Sequence, residues 1–422
     1  MQVFKFGGAS VKCAENIKSV AKIIANYKTS ELLVVVSAID KTTNKLEKLA
    51  KTYYDQSGDC FELLAEIKAD HFSIVKELFG TEPHPIIDEL VNAFVEVEWI
   101  LEEEPLDSFA YLYDQIVSLG EILSSKILSA YLQFSGEPTR YIDDRDYIQT
   151  DNTHREGKVN WSLTEEKILR DLPAILADYT IVTQGFIGST SENFTTTLGR
   201  EGSDYSAAIF ASCLNAYDLT IWKDVPGVLN ADPKWFNETE LIPELSYTDA
   251  IELTYYGATV IHPKTIKPLQ NKNIPLKVRS FVDPQSPGTI IKEINQTLPI
   301  PSFIFKVNQV FISIQPLDFS FIVEDNLSHI YNLFHQHRIK INMMHNSAIS
   351  FSVSIDNTGE NINDMLAELK TRYKVYIDTN LELITIRYYN QETIDRVLVN
   401  KKIIRELKDS YTCQMLVKNL DE

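Results

Sequence analysis

The stretch 195–208, "TTTLGREGSDYSAA", sets three threonines and two glycines around Arg200 and Glu201, then Ser203 and Asp204, ahead of a run of small residues. The glycines permit a tight loop and close backbone approach, the hydroxyls and N–H groups favour an anion, and the helix that follows turns its positive end toward the loop. That composition suits an oxyanion or phosphate cradle, although a Gly-Ser-Asp loop also serves as an ordinary helix cap. Two more glycine-bearing turns, "KFGGAS" at 5–10 with Gly7 and Gly8, and "QGFIG" at 184–188, follow strand-like runs. "VVSAIDKTTN" at 35–44 ends another such run and brings Ser37 and Thr43 to the same rim. In an open parallel sheet the ligand lies outside the carboxyl ends of the strands, so these turns are expected to converge on one crevice. Lys5 stands at a strand end, where its ammonium could face charge moving between donor and acceptor oxygens in phosphoryl transfer; a solvated edge-strand lysine is the plainer alternative. Neither GxxxxGK[ST] nor a GxGxxG after the first strand is present, so neither the usual P-loop nor a dinucleotide fold is supported.

The elements that must hold these residues follow from periodicity. "VFKF" at 3–6, the glycine pair, apolar residues at helical spacing from Ile17 to Tyr27, and the continuous apolar run at 32–38 read as a βαβ unit with a strand buried on both faces. From about 44 to 135 the pattern is helical, with segments at 61–79, 86–103 and 110–133. Strand signals return at 180–184, 219–222 and 275–279, alternating with helices near 163–178, 203–215 and 246–257, the signature of an open α/β domain. The proline-rich stretch 283–302 marks a boundary. Beyond it a strand at 310–314, helix 325–337, strands 339–344 and 348–355, helix 361–373 and strand 374–378 give a ferredoxin-like βαββαβ order. A strand at 381–388, a helix at 391–408 and a strand at 411–417 end the chain, with the strand-like 303–307 available to pair with them.

Bulk properties narrow the class. At 422 residues, 44% hydrophobic and 23% charged, the chain has room for two or three folded domains. A formal charge of −19 argues against nucleic acid or an anionic membrane as the main partner. Cys13, Cys60, Cys213 and Cys413 are scattered, with neither zinc-site nor disulfide-framework spacing, and no metal ligands are assigned. With no signal-like start and no apolar run near the ~18 residues of a membrane span, a cytoplasmic protein is expected.

"KFGGASV" at 5–11, "VVSA" with "TTN" at 35–44, "SLGE" at 118–121, the 195–208 stretch, "IWKDVPGVLNADPK" at 221–234, "YYGATVIHPKTIKP" at 255–268 and "NIPLKV…DPQSPGTII" occur in an order that resembles aspartokinases, of the amino acid kinase superfamily. The resemblance implies an open, mostly parallel α/β sheet with helices on both faces, over 1–285 with a helical insertion at about 44–135. Behind it comes an α+β ferredoxin-like ACT region over 300–422, its first module at about 308–378 and a shortened second at about 379–422 with a strand from 303–307. It also implies roles. Lys5 and Asp204 are catalytic, Lys5 stabilising the transferred phosphoryl group and Asp204 ordering nearby lysines. Gly7, Gly8, Ser37, Lys223, Asp224, Leu229, Lys234, Thr259 and Val260 fall on the phosphate and nucleotide side. Thr43, Glu121, Arg200 and Ser203 fall on the amino acid, with Arg200 pairing a carboxylate and Glu121 facing the ammonium.

The chain departs from the family pattern at several positions. Ala9 stands at a usual threonine, Glu201 at a common glycine, and Leu229 and Lys234 at a usual tyrosine and arginine. Thr259 stands where a nucleotide-contacting lysine is usual, while Lys223 occupies a usual threonine position, so Lys223 is a candidate to supply the lost charge, with Lys264 second. The implied reaction is ATP with Mg²⁺ plus L-aspartate giving ADP and 4-phospho-L-aspartate. No homoserine dehydrogenase region follows in this sequence, so a monofunctional enzyme is expected, as a homodimer or higher homo-oligomer with lysine or threonine as candidate effectors. The alternatives are a catalytically impaired amino-acid sensor and a kinase of glutamate or N-acetylglutamate.

Overall fold

Alternation of apolar side chains above and below a strand lets one sheet build two cores, and the first strands do this. In the computed structural model, which describes residues 1–420 apart from 237, 259–260, 295–299, 319 and 358, Phe4, Phe6, Val34, Val36, Val182 and Trp222 enter one core. The strands are β1 (Gln2–Phe6), β2 (Leu32–Val36), β3 (Thr139–Tyr141), β4 (Thr180–Gln184), β5 (Ile187–Ser189), β6 (Thr195–Thr197), β7 (Asp218–Lys223), β8 (Glu244–Ser246), β9 (Leu276–Ser280) and β10 (Thr289–Lys292). All but β5 and β6, which form a hairpin, join one sheet in the order β3-β4-β2-β1-β7-β9-β10-β8. The run from β3 to β9 is parallel, and β10 turns antiparallel against β9.

One face of this sheet is covered by α1 (Ala14–Tyr27) and the helices of the insertion, α2 (Thr42–Tyr54), α3 (Cys60–Phe79), α4 (Ile86–Glu102), α5 (Phe109–Val117) and α6 (Leu119–Phe134). After the short α7 (Asp144–Tyr147) come α8 (Trp161–Asp178) and α9 (Gly202–Cys213), with α9 against β1, β2 and β7. The small residues "GSDYSAAIFASC" let α9 sit close to the sheet, and all but Tyr205 are buried. The continuous helix expected at 110–133 is two, broken at Ser118. There the hydroxyl donates to the Gln115 carbonyl at 3.1 Å and the backbone N–H to Asp114 stretches to 3.4 Å, a local bond competing with the helix. The strand β10 carries the first sheet beyond residue 285. Helices α10 (Tyr247–Tyr256) and α11 (Pro263–Asn271) complete the set.

The chain divides into two compact units: the described residues of 1–228, 241–251 and 260–297, and those of 229–240, 252–259 and 298–420. The second unit is an antiparallel six-stranded sheet, β12-β13-β11-β14-β16-β15, made of β11 (Ser302–Pro316), β12 (Ile341–Asn346), β13 (Phe351–Asp356), β14 (Tyr373–Arg387), β15 (Lys401–Lys408) and β16 (Thr412–Asn419). Its helices are α12 (Glu324–Gln336), α13 (Glu360–Lys370) and α14 (Gln391–Val397). β11 and β14 each run through two halves; Ser302–Lys306 pairs with Leu383–Arg387, and Phe311–Pro316 with Tyr373–Asp378. Between the halves Asn308 and Asn380 take left-handed φ values of 54° and 57°, and the register shifts as in a bulge. One core gathers Val310, Ile312, Ile330, Leu333, Met365 and Leu369, another Phe303, Ile384, Ile386, Ile394 and Met415. The expected helix 391–408 stops at Val397. Asn400, at φ 57°, turns the chain, and "KKIIRELK" pairs instead with β16, because inter-strand pairing overrides its helical propensity.

Candidate active site

Lys5 stands in the middle strand of the sheet, so its ammonium is held in a largely dry place, 7% exposed. Asp204, in the first turn of α9, lies directly beside it: Lys5 Nζ is 2.6 Å from Asp204 Oδ1, and Lys223 Nζ, from the end of β7, is 3.5 Å from Oδ2. Burial alone would raise the Asp204 carboxyl, but the two lysines overcome it and hold it below the ordinary carboxylate range. Two cations on one carboxylate leave a local positive charge at the carboxyl end of β1 and β7. The edge-strand reading of Lys5 is excluded by its position between β2 and β7.

Past Lys5 the chain runs through Gly7 into a single 3₁₀ turn. Gly8 is required by a close approach, since a Cβ there would meet the Ala38 carbonyl oxygen at 2.7 Å. That contact ties the Gly7–Gly8 turn to the end of β2, where Ser37 N–H donates to Phe6 O and Ser124 Oγ to Ser37 O at 2.7 Å. Thr43 follows in the first turn of α2.

Glu121 is fully enclosed in the first turn of α6 and does not face water. Its Oε1 accepts a long bond, 3.4 Å, from Ala38 N–H, and its Oε2 has no hydrogen-bond partner among the described residues. Burial pushes its pKa to about 8, against the lowering effect of the Ala38 N–H and of Lys5. A buried carboxyl with an unspent oxygen is suited to receive a cationic ligand group.

The loop before α9 contains both substrate-side residues of the 195–208 stretch. Gly199, at φ 78°, makes the turn; Arg200 is exposed, and among the described residues it forms no ion pair with Glu201. Ser203 is buried in the first turn of α9. Glu201 adopts a left-handed φ of 54°, which explains why glycine suits this position, and its Oε2 accepts from His262 N–H at 2.8 Å. Asp224 is exposed just past β7. Leu229 and Lys234 lie in the second unit's 229–240 segment, where Lys234 N–H donates to Asp232. Thr259 and Val260 lie outside the described residues, and Lys264 is exposed.

Sequence reasoning missed Asp114. This fully buried carboxylate accepts from Thr197 Oγ1 at 2.7 Å and Arg155 N–H at 2.9 Å, and stands 3.0 Å from His154 Nδ1. The neighbouring Gln115 amide brackets β6, accepting from Thr195 N–H and donating to Thr195 O. Together they fix β6, which leads to Arg200, against α5, which leads to Glu121. The signal in the sequence is the adjacent polar pair Asp114 and Gln115 inside a helix whose other residues are apolar or aromatic.

Residues 1–280 match the amino acid kinase family. The chain is 29% identical to the lysine-sensitive aspartokinase 3 of Escherichia coli, over 91% of this chain and 86% of that one. It is 35% identical to the chloroplastic bifunctional aspartokinase/homoserine dehydrogenase 1 of Zea mays, over 68% of this chain and 32% of that one, so it spans about a third of that relative. Its structure is similar to E. coli aspartokinase III in complex with aspartate and ADP, TM-score 0.83 and 27% identity over 100% of this chain and 97% of that one. The lysine and aspartate complex gives 0.85 and 27% over 100% and 96%.

Proposed function

The chain belongs to the amino acid kinase family, and from that premise we propose that it transfers the γ-phosphoryl group of ATP to the β-carboxylate of L-aspartate, giving ADP and 4-phospho-L-aspartate. The observation that carries this reading is the pairing of Lys5 and Lys223 on Asp204 at the strand ends, with the unspent oxygen of Glu121 enclosed nearby in the same unit.

The nucleophile needs no base, because the β-carboxylate is ionised near neutral pH. The work is to bring two anions together and offset their repulsion. Lys5 and Lys223 supply charge to the phosphoryl group in flight, with Asp204 fixing their positions. The Gly7–Gly8 turn, Ser37 and Asp224 serve the phosphates, and Leu229 and Lys234 the nucleotide, as do Thr259 and Val260. Glu121 receives the α-ammonium, Arg200 the α-carboxylate, and Thr43 and Ser203 hold the remaining polar groups. Among the described residues no three His, Cys, Asp or Glu are grouped to hold a metal. Mg²⁺ would accompany ATP as its divalent counter-ion and would offset charge on the phosphates.

The similarity to a lysine-sensitive enzyme supports lysine as effector; we further propose that it acts through the α+β unit and that the enzyme is a homodimer in the cytoplasm. Among the described residues no helix is long and apolar enough to cross a membrane. The test is ADP formation with MgATP, trapping the acyl phosphate as its hydroxamate, with aspartate, glutamate and N-acetylglutamate in parallel and lysine or threonine added. Hydroxamate from aspartate alone, suppressed by lysine, is expected. Product from glutamate instead, or ligand binding with no product, overturns the reading.

A further inference from the structure

The second unit contains a cavity of about 580 Å³ that the phosphoryl-transfer reading leaves unused. Trp235 and Phe236, of the 229–240 segment, form one wall and Phe305 of β11 another. Phe236 stacks on Phe303 with centroids 4.8 Å apart, and Arg396 of α14 covers it at 4.6 Å. Trp235 lies 6.2 Å from Phe305 and remains 48% exposed; Val399 at the rim is 69% exposed. The cavity thus presents exposed aromatic and aliphatic surface.

Its charges balance. Glu382 and Lys401 pair in the wall, and Arg396 meets Glu238 at 3.8 Å, beyond the 2.7–2.9 Å of a charge-assisted hydrogen bond. Among the described residues the Arg396 guanidinium makes no hydrogen bond, so a planar fork of donors is unspent at the edge of an apolar surface. Two cations and two carboxylates favour a ligand of zero net charge bearing both signs over a simple anion or cation.

We propose that this cavity binds an L-amino acid with an aromatic or large aliphatic side chain. Its carboxylate lies on Arg396, its ammonium on Glu238, and its side chain against Trp235, Phe305 and Val399. The inference is independent of the substrate reading, since it concerns binding alone. The ligand touches the segment that carries Lys234, and so occupies a position from which that segment's conformation can be biased.

The experiment is ligand-observed NMR and calorimetric titration of the full chain with leucine, isoleucine, phenylalanine, tyrosine and tryptophan, with alanine, lysine and aspartate as comparators. Saturable binding of one of the five at one site per chain is expected, weakened roughly tenfold or more by Arg396→Gln and by Val399→Glu. Both side chains are substantially exposed, and an unchanged Tm and ADP affinity will show that the variants fold. Absence of binding up to about 10 mM, or binding that survives both substitutions, overturns the proposal. So does self-association that Val399→Glu abolishes, which would give the surface to a second copy of the chain.

Discussion

A carboxyl group enclosed with one oxygen unpartnered titrates late, and Glu121 makes substrate affinity and stability depend on pH in opposite senses. Its pKa is about 8 in the folded chain against an ordinary 4.5, so between those values the folded state holds a proton that the unfolded state has lost. Its contribution to stability is therefore complete below pH 4.5 and is lost as pH rises through 8. Pairing with an ammonium needs the ionised form, so kcat/KM for aspartate should climb with pH toward a plateau above about 8. Glu121→Gln should abolish that limb, flatten the stability profile and raise KM for aspartate about 10- to 100-fold, with KM for ATP little changed. Initial rates and denaturant melts across pH 5–9 check each part. At the strand end, Lys5→Met should lower kcat roughly 10²- to 10³-fold, the scale of losing one preorganised charge from a transition state. Lys223→Ala should raise KM for ATP and lower kcat; values near wild type would remove Lys223 from the nucleotide side.

Among the elements, α5 and β6 matter beyond their length because Asp114 and Gln115 lock one against the other. Removing the Asp114 carboxylate leaves the Thr197 hydroxyl and the Arg155 N–H without their buried acceptor. Asp114→Ala should cost on the order of 2–4 kcal/mol in chemical denaturation and raise KM for aspartate more than KM for ATP. The conservative Asp114→Asn retains a carbonyl acceptor and should recover most of the stability. In the second unit the bulges depend on Asn308 and Asn380. Replacing either by valine should destabilise by about 1–2 kcal/mol, because a β-branched residue disfavours left-handed φ, whereas glycine should be tolerated.

For the whole molecule, ligands that bind only the folded chain should raise its apparent stability. MgADP and aspartate at about 100 times their dissociation constants should each add about 2.7 kcal/mol, read as a rise in Tm by differential scanning. Glutamate should give no such rise if the reading of the site is right.

The chain's periodicity was enough to establish the βαβ opening, the helical insertion and the βαββαβ order, because burial on one face or two dictates which residues recur at two or at 3.6. Glycine turns after strands likewise lead to the expectation that Lys5, Ser37, Arg200 and Asp204 share one rim, since parallel strands bring their carboxyl ends together, and of these the structure sets Lys5 directly against Asp204. Short strands such as β3, β6 and β10 are too brief to show a period, and β15 carries a helical pattern that pairing with β16 overrides. Which charges meet was decided only in three dimensions. Lys5 and Lys223 are 218 positions apart in sequence and share Asp204 because β1 and β7 are neighbours under α9. Glu121, which the family resemblance sets on the amino acid, is a dry, half-partnered carboxyl because α6 is covered on every side at that turn. Pattern determines which face is apolar; only packing decides which polar groups lose their water, and at this site that loss sets the chemistry.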